Sequence, residues 1–175
     1  FEVSASVGAG PFLVGDEARP EVTASYYAGG ALPDAETTWT VQASPSSYQP
    51  PGREGWVFGA WVPWWFRGGF GGGADDSSQQ TLSGRTDADG AHQVAVAFDA
   101  ADPPRPYRVT ASASVMDVNR QAWSASTSWL VHPSAAYVGL RTPRAFIEQG
   151  ETLEVDGLVV DIDGPGALPR VEVRS

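Results

Sequence analysis

Apolar and polar residues alternate along five stretches of the chain: Val22-Ala24-Tyr26, Trp39-Val41, Val94-Val96-Phe98, Tyr107-Val109-Ala111-Ala113-Val115 and Trp123-Ala125-Thr127-Trp129-Val131. A period of two puts successive side chains on opposite faces of a strand, so each stretch predicts a strand with one face buried. Each is rich in β-branched, aromatic or small residues and is bounded by Gly, Pro, Asp or Asn, as strands are. No window carries the i, i+3, i+4, i+7 stripe of an amphipathic helix. The 14 prolines and 20 glycines are scattered throughout and would interrupt one. The pattern predicts an all-β chain: an antiparallel β-sandwich of about seven strands, plus the start of a second β domain. Tyr26, Trp39, Val94, Val96, Tyr107, Val109, Trp123 and Trp129 are expected on the interior faces, a set that a register slip of one residue would exchange for its neighbours.

Turn signals divide these strands. Thr86-Asp87-Ala88-Asp89-Gly90 separates a loop from a strand beginning near His92, and Asp117-Val118-Asn119-Arg120 reads as a hairpin connection. His132-Pro133-Ser134 is expected to be a domain boundary, because proline fixes its own φ and pushes the preceding residue into extended backbone. The expected organisation is therefore a sandwich over 1–133 with an aromatic, glycine-rich insertion at 43–80. Residues 134–175 then form the first part of a following, truncated domain. A chain that opens directly on the strand-like Phe1-Glu2-Val3 is expected to be a piece of a longer polypeptide.

Charge and composition narrow the partners. The 175 residues carry a formal net charge of −10, and all 11 basic residues are arginine. That balance disfavours nucleic acid, which requires cations against its phosphates, and an anionic membrane surface. No run approaches the roughly 20 apolar residues that span a bilayer, so membrane association is expected only through an anchor outside this segment. The chain has no cysteine, which removes disulfides, thiolate metal sites and cysteine nucleophiles.

The candidate interaction surface lies in the insertion, where Trp56, Phe58, Trp61, Trp64, Trp65, Phe66 and Phe70 run together. Exposed rings of this kind stack on sugars or peptides, and the same rings also pack between domains. Asp87 and Asp89, followed by Gly90, have the alternate carboxylates of a calcium loop but lack its later ligands; Asp161 and Asp163 allow the same statement with less support. His92 and His132 have no partner at metal-ligand spacing. No nucleophile elbow, phosphate loop or dinucleotide fingerprint is present. The sequence therefore assigns no catalytic residue, no cofactor and no metal.

Several segments, in order, carry a family resemblance. They are Phe1-Glu2-Val3-Ser4, Val14-Gly15-Asp16, the strand and Gly-Gly/Pro-Asp turn of Val22 to Glu36, the Thr-Asp-x-x-Gly step at Thr86 to Gly90, and Thr110 to Ser124 with Val131-His132-Pro133-Ser134 and Tyr137-Val138-Gly139-Leu140. Together they resemble a macroglobulin domain and the entry to the next, as found in bacterial alpha-2-macroglobulins. The resemblance implies a scaffold segment of a protease trap, without catalysis of its own, in the periplasm or cell envelope of a bacterium. Its partners would be neighbouring domains of the same polypeptide and the proteases that the full-length parent captures. No bait residue carries over, and the thioester of some members cannot be here because it needs a cysteine. The alternatives are an Ig-like adhesin or carbohydrate-binding module using the tryptophan-rich loop, and a calcium-stabilised surface repeat.

Overall fold

The structure is a computed structural model that describes residues 1–59, 78–99, 104–142, 154–163 and 171–173. Every regular element among the described residues is a strand. The chain divides into two compact units, Phe1–Ser46 with Ala74–Pro133 and Ser47–Gly73 with Ser134–Ser175.

The first unit is a sandwich. One sheet has three strands in the order β1 (Glu2–Ser6), β4 (Glu21–Ser25) and β8 (Ala91–Gln93). The other has five: β2 (Phe12–Leu13), β11 (Ala122–His132), β10 (Tyr107–Met116), β5 (Glu36–Pro45) and β7 (Ser78–Arg85). A short pair, β3 (Glu17–Ala18) with β9 (Val96–Ala97), completes it. All the neighbours are antiparallel except β2 and β11, which run parallel over two residues.

The alternation read from the sequence is the alternation of burial. On β10, Tyr107, Val109, Ala111, Ala113 and Val115 are buried, and on β5 Thr37, Trp39, Val41 and Ala43 are. They meet Val22 and Ala24 of β4 in one core. The outward residues of the same two strands include Thr38, Thr40, Thr110, Ser112 and Ser114, whose hydroxyls suit a solvated sheet face. Two of the expected interior residues are exposed instead. Tyr26, 41% exposed, falls one position beyond β4 in the turn closed by its N–H to the Gly30 carbonyl. Trp123, 48% exposed, stands at the open end of β11, where the edge-on ring of Phe1 is 6.1 Å away. The alternation itself holds; the covering sheet does not extend over its last step.

Thr86 to Gly90 shows what the Thr-Asp-x-x-Gly step does between strands. The buried Thr86 hydroxyl donates to the Leu32 carbonyl at 2.6 Å and accepts the Ala35 N–H at 2.9 Å, fixing the loop that leads into β5. Asp87 Oδ1 accepts the N–H groups of Asp89 and Ala91, both at 2.9 Å. Gly90, at φ 75°, closes the turn and gives its carbonyl to the Ala24 N–H. Asp117 builds an equivalent turn in the β10–β11 hairpin, its Oδ1 accepting from Asn119 at 2.8 Å and Gln121 at 2.9 Å. There the left-handed fourth position is Arg120, at φ 62°.

The second unit has one four-stranded antiparallel sheet, ordered β14 (Val171–Val173), β13 (Val155–Asp161), β12 (Ala136–Arg141) and β6 (Val57–Phe58). Residues 47–59, expected in an insertion of the first domain, are grouped with this unit. Residues 43–45 and 78–80, the ends of that expected insertion, lie within β5 and β7.

Candidate functional site

Of the seven aromatic residues expected to form an interaction surface, Trp56 and Phe58 are described. Trp61, Trp64, Trp65, Phe66 and Phe70 lie outside the described residues. The approach to Trp56 is a compact turn in which Pro50 is fully buried and Gly52 and Gly55 have left-handed backbone. The Gln49 amide donates to the Arg53 carbonyl at 2.6 Å, and the Trp56 N–H reaches the same carbonyl at 3.3 Å. The chain then enters β6, where Val57 pairs with Leu140 and Phe58 with Gly139.

Both rings are half-buried and occupied. Phe58 lies over Gly139 so closely that a Cβ there would stand 2.6 Å from the ring. Glycine at 139 is therefore what admits the phenyl group. Trp56 stacks against the Arg141 guanidinium, whose carbon is 4.7 Å from the ring centroid. Arg141 also donates to Asp156 at 2.8 Å across the β12–β13 pair. A cation–π contact at a partly exposed site contributes about 0.5–1 kcal/mol, and an exposed ion pair less than about 1 kcal/mol. These contacts fix the ring rather than store much energy. Tyr48 packs on Tyr137 at 5.1 Å between centroids and donates its hydroxyl to the Ile162 carbonyl. Burial raises the Tyr137 pKa, with Tyr48 adding to it; burial and then the Asp163 charge raise that of Tyr48. The other face of the sheet is apolar and open, with Val57 41%, Leu140 49% and Val138 60% exposed.

Gly139→Ala is expected to displace the Phe58 ring and weaken the two-residue β6–β12 pairing. The measurement is hydrogen exchange: faster exchange confined to the second unit is the predicted result, and unchanged protection of Val57, Phe58 and their partners would contradict it.

Asp87 and His92, two of the residues weighed as ligands, have structural partners. Asp87 holds its own turn through the two amide bonds described above. Among the described residues, no group of three or more His, Asp or Glu side chains converges on one point. His92 Nδ1 accepts the Trp39 indole N–H at 3.0 Å, tying β8 of one sheet to β5 of the other. The sequence contains no signal for that pair, since 53 positions separate its members. His132 is buried at the end of β11, and its backbone carbonyl accepts the Val14 N–H at 2.9 Å.

Burial lowers the His132 pKa from the ordinary 6.5. The native state therefore resists the proton that the unfolded chain takes up below that value. The contribution of this residue is fully present above pH 6.5 and is lost as pH falls toward the depressed native value. A thermal melting series from pH 7.5 downward should show Tm falling once the pH drops below 6.5. His132→Gln should flatten this part of the profile; an unchanged slope would remove His132 as its source.

No family model matches the chain. By sequence it is similar to Circularly permutated Ras protein 2 of Dictyostelium discoideum, with 29% identity over 133 residues, covering 69% of this chain and 3% of that protein. By structure it is similar to native alpha-2-macroglobulin of Escherichia coli, with a TM-score of 0.64 and 14% identity over 93% of this chain. The same protein activated by porcine elastase gives a TM-score of 0.67 and 15% identity over 93%. Salmonella alpha-2-macroglobulin reacted with methylamine gives 0.65 and 14% over 95%. The chain spans 11% to 14% of the length of these solved chains. Its fold is that of a macroglobulin-domain segment of bacterial alpha-2-macroglobulins.

Proposed function

We propose that this chain is a non-catalytic scaffold segment of a bacterial alpha-2-macroglobulin-like protease inhibitor, positioned in the periplasm or cell envelope. The observation that carries the reading is fold similarity over at least 93% of the chain to bacterial alpha-2-macroglobulins in native, protease-activated and methylamine-reacted forms. A scaffold in a trap has to keep its internal packing while the rest of the molecule rearranges. The first unit has the means: a continuous core, and loops tied by Thr86, Asp87 and Asp117. Residues 1–46 and 74–133 supply the body of one macroglobulin-like domain, and 47–73 with 134–175 belong to the next. Neighbouring domains of the same polypeptide are its direct partners, and the target proteases are partners of the whole. Trp56 and Phe58 serve this role by packing on the second unit's sheet.

The test uses the full-length parent, incubated with trypsin or elastase with and without methylamine, and read on native and denaturing gels. Cleavage in one region, with faster native migration and retained protease, is the expected result. Loss of the protease conjugate after methylamine would identify a thioester elsewhere in the parent. Dispersed cleavage without retained protease would overturn the trap reading.

A further inference from the structure

The large apolar side chains of the first unit that stand open to solvent gather at one end of it. Among the described residues they are Trp123, at 48% exposure, Tyr26 at 41%, Tyr27 at 71%, Met116 at 37% and Val118 at 86%. The strand registers place them. Met116 is opposite Ala122 on β11 and Glu36 on β5, so Met116, Val118 and Trp123 belong to the hairpin end of the five-stranded sheet. In the three-stranded sheet Ser25 is opposite Glu2, so Tyr26 and Tyr27 follow at the Phe1 end of that pair. The rings of Phe1 and Trp123, 6.1 Å apart and edge to face, join these two sheet ends into one.

Trp123 and Tyr26 continue the core outward. Val115, opposite Trp123, is fully buried, and Ala24, two residues before Tyr26, is buried too. Both rings therefore keep the inward parity of their strands and form a further layer, with Phe1 beside them. Among the described residues no strand closes that layer. The other end of the unit is given to connections. Pro45 and Val131 are both opposite Tyr107, and Ser78 is opposite Ala43. The crossings after residues 46, 73 and 133 all adjoin these positions. The outward positions of β5 and β10 carry hydroxyls, so open rings are not the general character of this surface.

An aromatic ring buries roughly 150–250 Å² when covered, so a few half-open ones make a patch on the order of a few hundred Å². A free-standing interface needs roughly 800 Å² from each partner. A patch of this size suits a partner that is already tethered, because linkage supplies the effective concentration that contact area does not. Phe1 is part of the patch, and a domain joined to the chain at Phe1 reaches it without a linker. We infer that a neighbouring domain of the same polypeptide, the one joined through Phe1, docks on this end. It closes the open layer of Phe1, Tyr26 and Trp123 with an apolar surface of its own. The inference rests on the scaffold reading, in which such neighbours are the direct partners.

The experiment uses the full-length parent and reads side-chain oxidation by hydroxyl radicals, residue by residue, in the folded protein and after unfolding in urea. Tyr26, Tyr27 and Trp123 should lose most of their reactivity on folding, although 41% to 71% of each is open in this chain. Reactivity in proportion to that exposure overturns the inference. Hydrogen exchange then identifies the partner. Trp123→Glu should speed exchange about tenfold in peptides that precede Phe1 in the parent. Tyr27→Glu, in the turn outside the core, should do the same if Trp123→Glu disturbs the fold itself. Exchange before Phe1 that neither variant changes means another occupant and overturns the inference. The protease incubation of the parent separates this result from the trap reading. Retained protease with open rings overturns the docking alone; dispersed cleavage with covered, coupled rings overturns the trap and leaves the docking standing.

Discussion

Trp39→Ala should be the most damaging single substitution in the first unit, lowering stability by about 3–5 kcal/mol. The indole is fully buried between the two sheets, so its removal leaves a large cavity. It also removes the 3.0 Å hydrogen bond to the half-buried His92 Nδ1, a bond whose net contribution is about 0.5–1.5 kcal/mol. The two contributions can be separated. Trp39→Phe keeps most of the apolar volume and loses the N–H, and His92→Phe strands the N–H while keeping the ring. In chemical denaturation, the double variant Trp39→Phe/His92→Phe should be less destabilised than the sum of the singles. Additivity would mean that the bond between the sheets contributes nothing beyond packing. A Trp39→Ala variant within about 1 kcal/mol of the parent would contradict the placement of this ring in the core.

Gly90→Ala is expected to cost about 2–4 kcal/mol. Two independent reasons add. The backbone at φ 75° disfavours any side chain, and the new methyl would stand 2.4 Å from the Ala24 carbonyl oxygen. That oxygen cannot withdraw freely, because it accepts the Leu32 N–H at 2.9 Å. The carbonyl of Gly90 in turn receives the Ala24 N–H, so the strain passes into β4 and into the loop clamped by Thr86. Hydrogen exchange should show lost protection at Ala24 and Leu32 first. Gly15→Ala provides the comparison: its φ is 92°, but nothing lies within 4 Å of its Cβ position. Its cost should therefore be the backbone part alone, about 1–2 kcal/mol.

Much of the first unit was legible because its signals are local. The alternation on β5 and β10 and the Asp117 hairpin each need only neighbouring residues to be read. Among the described residues, seven strands of three or more residues form this unit, as the count of about seven anticipated, and three two-residue strands add to them. What escaped depends on distant pairings. Trp123 keeps its inward parity, but only the position of the other sheet determines whether anything covers it. The acceptor for Trp39 is a histidine on another sheet. The placement of Val57–Phe58 rests on the absence of a side chain at Gly139, about eighty residues further along. The Thr-Asp-x-x-Gly step was visible as a pattern, yet the task of its threonine became evident only with the loop it clamps.

The division of the chain has a consequence for survival among proteases. Each unit is made of two separate stretches, so the polypeptide crosses from one unit to the other three times, after residues 46, 73 and 133. A cut at any one crossing leaves two covalent tethers in place, and release of either unit requires every crossing to be severed. A segment threaded in this way tolerates a nick that would detach a domain strung on a single linker. In a molecule exposed to active proteases, that redundancy would keep the parts together after the first cleavage.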